Sequence, residues 1–274
     1  MSPSGPDQTS FEIDTSVAHA ARVYDYLLGG TSNFEVDRVA ARRQTQAIGG
    51  IDNARAQVRA NRDFLGRAIR WLAGEAGIRQ VLDIGTGIPN ADNVHAIAQQ
   101  VAPESRIVCV DYDPIVVAHA HELMTSTSEG SADFVHGDVR HPDQILAQAA
   151  ATLDLSRPTA LVMLGLLYLI PDSDDPYGIV RHLVDALAPG SYLAISHITG
   201  DFNPEMAELV ERLNETMAEP FILRSQADIA RFFDGLELVE PEVVPVNQWR
   251  PDPGQPADPH PAFSAYLVGV ARKP

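Results

Sequence analysis

Apolar residues recur along this chain in two rhythms, and the rhythm changes near residue 80. Before that point they fall three and four residues apart, the spacing of one helix face. Asp14-Thr15-Ser16 offers cap residues for a helix through Val17, Ala20, Ala21, Tyr24, Leu27 and Leu28, and Gly29-Gly30 stops it. A second helix is predicted over 34–48 and a third over about 52–72. From Gln80 onward short apolar runs alternate with amphipathic segments. The runs 81–84, 106–110, 133–136, 159–164 and 192–197 read as buried strands, with helices near 90–101, 114–126, 142–152 and 178–188. Such alternation predicts an α/β fold: a parallel sheet with right-handed crossovers and helices on both faces. Beyond it come a helix near 204–218, another behind the capping pattern Ser225-Gln-Ala-Asp228, and strands near 236–246 and 263–271. Pro251, Pro253, Pro256, Pro259 and Pro261 lie between those last strands and mark a loop. The division expected is a helical cap over 1–77 and an α/β core over 78–274, packed as one compact unit.

Charge narrows the partners. The 274 residues carry a formal net charge of −17. Residues 1–78 hold nine Arg against nine Asp or Glu, whereas the remainder holds eleven basic and twenty-eight acidic residues. A surface of that sign repels phosphate backbones, so nucleic acid is an unexpected partner. No apolar run reaches the length of a membrane span, and the polar first ten residues show no signal pattern. A cytoplasmic location is expected. The single cysteine, Cys109, sits inside an apolar strand and reads as a buried, inert thiol.

The chemistry concentrates at strand ends. Val81-Leu-Asp-Ile-Gly-Thr-Gly-Ile-Pro89 places an acidic residue and a glycine turn between strand and helix. Gly85 and Gly87, flanking Thr86, let the backbone turn sharply and approach a ligand closely. A dinucleotide fingerprint needs a third glycine where Asn90 stands, after Pro89. Asp83 would repel a pyrophosphate but can hold an ammonium, and it can also serve simply as a cap of the turn. These features favour S-adenosylmethionine over NAD. Asp111 ends the second strand, where a carboxylate can accept from both ribose hydroxyls. Its neighbours are Tyr112 and Asp113, the latter a helix cap before Pro114. After the third strand, Asp138 can accept from the adenine amine while the Val139 N–H donates to a ring nitrogen. Leu164 ends the fourth strand beside the same site.

Asp-x-Gly-x-Gly, then Asp111, then Asp138 resembles the seven-stranded S-adenosylmethionine-dependent methyltransferases over about residues 78–200. A narrower resemblance spans nearly the whole chain. Ala21-Arg-Val-Tyr-Asp-Tyr-Leu-Leu-Gly-Gly30, Asn33-Phe34, Asp37-Arg38, Asn61-Arg62-Asp-Phe-Leu65, Asn93-Val-His95, Val110-Asp-Tyr-Asp-Pro114 and Trp249-Arg-Pro251 are similar to a bacterial family named S-adenosyl methyltransferase. It implies a Rossmann-like seven-stranded sheet, closed by a C-terminal antiparallel strand, with the N-terminal helices folded over the cofactor. It also implies that Tyr24, Asn33 and Arg62 line or lid the site, Arg62 against the methionine carboxylate.

A sulfonium methyl is already electrophilic, so the motif demands no particular catalytic residue. His197, ending the fifth strand, is the best-placed candidate base, with Tyr168 behind it; each can instead be structural. His119 and His121 face different directions on their helix, and Asp172, Asp174 and Asp175 read as a solvated loop, so no metal site is expected. The function expected is methyl transfer from S-adenosylmethionine to a small-molecule acceptor. The alternatives are a non-catalytic binder of S-adenosylmethionine or S-adenosylhomocysteine and a NAD-dependent oxidoreductase.

Overall fold

A computed structural model describes residues 13–45, 50–89, 93–203, 205–215, 217–254 and 265–274. Three helices come first: α1 (Ala20–Leu28), α2 (Glu35–Thr45) and α3 (Ile51–Gly74). Then strands and helices alternate: β1 (Gln80–Ile84), α4 (Val94–Val101), β2 (Arg106–Asp111), α5 (Pro114–Leu123), β3 (Ser131–His136), α6 (Pro142–Ala149), β4 (Ala160–Leu164), α7 (Pro176–Asp185) and β5 (Tyr192–Ile198). The chain closes with α8 (Met206–Asn214), α9 (Gln226–Ala230), β6 (Glu237–Leu238), β7 (Val244–Pro245) and β8 (Tyr266–Arg272). The sheet runs β3-β2-β1-β4-β5-β8-β6, with β7 also paired to β8. Its first five strands are parallel, and β8 pairs antiparallel to β5 from Tyr192↔Arg272 to Ile198↔Tyr266.

Strand alternation builds two cores, one on each face of the sheet. Leu82, Ile84, Val108, Val110, Leu161, Met163, Leu193 and Ile195 pack with α6, α7 and α9. Val81, Ile107, Cys109, Ala160, Val162 and Ala194 turn the other way, onto α3 and α4. A third cluster, containing Val23, Leu27, Ala40, Ala41, Ala54 and Val58, holds α1 and α2 against the first half of α3. Thus α3 belongs to both the cap and the sheet.

Two expectations change in the structure. Residues 14–16 do not cap α1; the Asp14 carboxylate accepts from Ser16 instead, and the helix begins at Ala20. The strand expected over 236–246 is two short strands, which makes the sheet eight-stranded. Pro241 has no N–H for a ladder and Glu242 sits at a φ of 70°, so the chain turns between them and rejoins β8 further along. Gly29 ends α1 in the left-handed conformation, its N–H bonded to the Tyr26 carbonyl, and Ser225 caps α9 by accepting from the Asp228 N–H. Asn90, the last part of the helix expected over 34–48, and most of the proline loop lie outside the described residues.

Candidate functional site

The carboxyl ends of the parallel strands are pinned to one another. Gly85 N–H bonds the Val110 carbonyl, Gly137 N–H the Asp111 carbonyl, and Gly165 N–H the Ser196 hydroxyl. Above these turns lies a cavity of about 530 Å³, a size suited to a nucleoside and a second small molecule. Asp83, Gly85, Thr86, Gly87, Asp111, Tyr112, Asp138, Val139 and Leu164 line it from the sheet. Tyr24 and Arg62 line it from the cap, and Tyr168 from the segment after β4. Gly85 requires its positive φ of 77° and its missing side chain, because a Cβ there would lie 3.0–3.2 Å from Leu166.

Two carboxylates define the floor. Asp83 is buried at the end of β1, and burial pushes its carboxyl up to about 6, although Thr86 bonds to it and Arg62 is near. Asp111 is likewise pushed up to about 6 by burial, even though its oxygens accept from the Gly87 N–H at 2.8 Å and the Asp113 N–H at 3.0 Å. The Asp111 charge further disfavours ionisation of Asp83, and the Asp113 charge disfavours ionisation of Asp111. Asp113 caps α5 through the Ile115 N–H, and its other oxygen lies 3.3 Å from His19 Nδ1. Burial disfavours the Asp113 charge, but the bonds from His19 and Ile115 prevail and hold its carboxyl below the usual range. That same bond holds the His19 imidazolium above its ordinary value.

On the other walls, Asp138 accepts from the Arg140 backbone and guanidinium, and Arg140 reaches on to Asp174 at 2.8 Å. Asp172 pairs with Arg224, and Asp175 caps α7 through Gly178 N–H. The acidic run is thus divided among two arginines and a helix end. No group of three metal-ligating side chains occurs among the described residues.

Arg62 donates to Asn93 Oδ1 at 2.6 Å. One turn away, Tyr24 gives its hydroxyl proton to the Val58 carbonyl and accepts from Asn61 Nδ2 at 3.1 Å. Asn61 Oδ1 and the Tyr112 hydroxyl are buried atoms of lining residues with no hydrogen-bond partner among the described residues. Leaving such a group unmet costs roughly 1–3 kcal/mol, which a bound molecule with polar groups can offset. Buried carboxylates, glycine turns and orphaned polar atoms suit a nucleoside carrying hydroxyl and ammonium donors.

Two expected site residues are placed elsewhere. Asn33 does not line the cavity; its amide donates to Asp25 at 2.7 Å and to the Gly30 carbonyl, and it accepts from Arg38, holding the turn after α1. His197 is fully buried beneath the segment after β4. Its Nδ1–H donates to the Ile198 carbonyl at 2.7 Å, which leaves Nε2 to accept from Arg224 at 2.9 Å. Burial first, and then the Arg224 charge, pull its imidazole down to about 3. It therefore stays neutral, with both nitrogens engaged. Tyr168 stays at the cavity wall, but its ring is stacked 5.2 Å from Phe221, and burial drives its phenol well above the usual range. Cys109 is buried and its thiol is also pushed far up, as expected of an inert core sulfur.

Sequence reading passed over His19, Asn61, Arg59, Arg140 and Glu219, all of which line the cavity. Asn61 stood inside the quoted Asn61-Arg62 pair and Arg140 two residues after Asp138. His19 and Glu219 gave no local signal: they meet because the Ala218 N–H bonds the Ala18 carbonyl across 200 residues of chain.

A profile of the S-adenosyl methyltransferase family matches residues 6–274. The chain belongs to that family. A duf574 family protein from Streptomyces avermitilis is 44% identical, with a TM-score of 0.91 over 96% of this chain and 100% of that one. A candidate methyltransferase from Thermobifida fusca is 37% identical, with a TM-score of 0.83 over 95% and 96%. The N-methyltransferase NodS from Bradyrhizobium japonicum, solved with S-adenosyl-l-homocysteine, shares the fold at 16% identity and a TM-score of 0.50 over 92% and 99%. No curated protein matches the chain. Family and fold make it an S-adenosylmethionine-dependent methyltransferase.

Proposed function

We propose that this methyltransferase modifies a small molecule held in the cavity beside the cofactor. The observation that carries the reading is one cavity with two buried carboxylates on its floor and an apolar wall of Leu28, Ile88, Leu166, Leu169 and Ile170. In this reading Asp111 accepts from the ribose hydroxyls, Asp83 from the amino-acid ammonium, and Arg62 pairs with the carboxylate. Asp138 and the Val139 N–H meet the adenine edge. Gly85, Thr86 and Gly87 let the backbone lie close to the amino-acid end, and Tyr112, Leu164 and Tyr24 pack around the nucleoside.

When bound, S-adenosylmethionine supplies a methyl group that is already electrophilic on its sulfonium. The chain's part is then orientation and exclusion of water, and orientation by itself can contribute roughly 7–11 kcal/mol. The cap residues Tyr24, Leu28 and Leu65 line the cavity on one side, and Tyr168 and Leu169 line it beyond β4. No step requires His197.

Calorimetry with S-adenosylhomocysteine and NAD tests cofactor choice: the first is expected to bind and the second not. Transfer of labelled methyl to a broad panel of small acceptors tests the reaction. Tight cofactor binding with no turnover over the whole panel would instead favour a non-catalytic binder.

A further inference from the structure

Asn61 combines three properties that the cofactor contacts proposed above do not use. It lines the cavity, it is 4% exposed, and its amide oxygen has no donor among the described residues. Its orientation follows from two hydrogen bonds. The Tyr24 hydroxyl proton goes to the Val58 carbonyl at 3.0 Å, and Asn61 Nδ2 donates to the Tyr24 oxygen at 3.1 Å. With that proton on Val58, a flipped amide would set two acceptors against each other. Asn61 Oδ1 is therefore held as an acceptor with no donor among the described residues. Around it stand Gly165, whose Cβ position would lie 3.6 Å from Asn61 Nδ2 and 3.5 Å from the Tyr168 hydroxyl, and the Tyr24 ring.

We infer that Asn61 Oδ1 receives an N–H or O–H group of the methyl acceptor, and so selects nitrogen and oxygen nucleophiles over carbon ones. This rests on the proposed function, in which Asp83 and Arg62 already serve the amino-acid end of the cofactor. A neutral amide oxygen orients such a donor without taking its proton. In the transfer, a lone pair on that nitrogen or oxygen forms the bond to the methyl carbon. The carbon–sulfur bond breaks with its electron pair kept by sulfur, and the nucleophile's proton leaves for solvent. Toward the methyl acceptor, Tyr24 is then a positioning residue, acting through the amide it locks.

The test uses the full-length protein saturated with S-adenosylhomocysteine and three fragments of similar shape: aniline, phenol and toluene, titrated by NMR. The wild type is expected to favour aniline and phenol over toluene at least tenfold. Asn61→Leu should reduce that ratio to within twofold, with affinity for S-adenosylhomocysteine itself changed by less than twofold. Asn61→Asp, which keeps an oxygen in place, should retain the preference, and Tyr24→Phe, which frees the amide to flip, should blunt it. An identical ratio in wild type and Asn61→Leu overturns the inference. So does a tenfold loss of S-adenosylhomocysteine affinity in Asn61→Leu, which would make the cofactor's ammonium the missing donor. If Asn61→Leu does not fold, an unchanged ratio in Tyr24→Phe overturns it equally. Failure of the wild type to bind S-adenosylhomocysteine is a separate result, and it removes the proposed function together with this inference.

Discussion

Asp83 and Asp111 show how a binding site stores a cost. Both carboxyls are pushed up to about 6 because their charge is taken out of water. Between about pH 4 and pH 6 the folded protein therefore holds protons that the unfolded chain has released. For these two groups, stability of the free protein falls as pH rises through that window and is lowest above it. In the binding mode proposed above, donors on the cofactor favour the ionised forms, so affinity for S-adenosylhomocysteine should rise from pH 5 to pH 7; calorimetry at several pH values would show it, and a flat profile would refute it. Asp111→Asn should weaken that affinity by about 1.5–3 kcal/mol with the fold kept, as expected for a lost hydrogen bond to a charged group. His197 should behave in the opposite way. His197→Phe removes the ring's bonds to Arg224 and to the Ile198 carbonyl and should cost roughly 1–3 kcal/mol of stability in urea titration, while cofactor affinity is unchanged.

At the scale of elements, α3 is the part on which cap and sheet both depend. Its first half packs Ala54 and Val58 against α1 and α2, and its second half packs Phe64, Leu65, Ile69 and Leu72 against the sheet. The Trp249-Arg-Pro251 motif finds its meaning here. Trp249 is fully buried, edge-on to Phe64 at 5.3 Å and to Trp71 at 6.1 Å. Arg67 on α3 donates to the Trp249 and Val246 carbonyls, and Arg250 lies 4.8 Å from the Trp71 ring. The motif thus clamps the chain before β8 onto α3, and none of its residues lines the cavity. Trp249→Ala should cost about 3–5 kcal/mol in chemical denaturation. Lys273, the chain's one lysine, plays a similar part for α7, donating to the carbonyls of Val184, Asp185 and Leu187 at that helix's end.

For the whole molecule, the shared helix makes a cut at residue 77 a division in sequence more than in space. Cap and core are expected to unfold together: far-ultraviolet circular dichroism and tryptophan fluorescence, which reports on Trp71 and Trp249, should give one coincident transition. Separate midpoints would show two independent units. The His19–Asp113 pair adds a tie between cap and sheet with its own pH window. The raised His19 contributes stability that is full below about its ordinary 6.5 and is lost as pH climbs through its higher folded value. The lowered Asp113 contributes stability that is present above about 3.8 and is lost as pH falls. The tie is strongest between those values, and His19→Gln should remove the dependence.

Sequence by itself determined the class of fold, the order of strands and helices through β5, and the residues at the strand ends. Those follow from local rules: alternation sets which face is buried, glycines permit positive φ, and acidic caps begin helices. Tertiary structure decided the rest. Splitting of 236–246 depends on a partner strand some thirty residues away, and the quiet role of His197 depends on Arg224 arriving from another segment. Asn33, carried over by resemblance, is spent on its own turn. His19, Asn61 and Glu219 reach the cavity only because distant stretches meet above the sheet. A side chain's chemistry is written in the sequence, but its exposure, its partners and the charge it can carry are set by which elements fold against it.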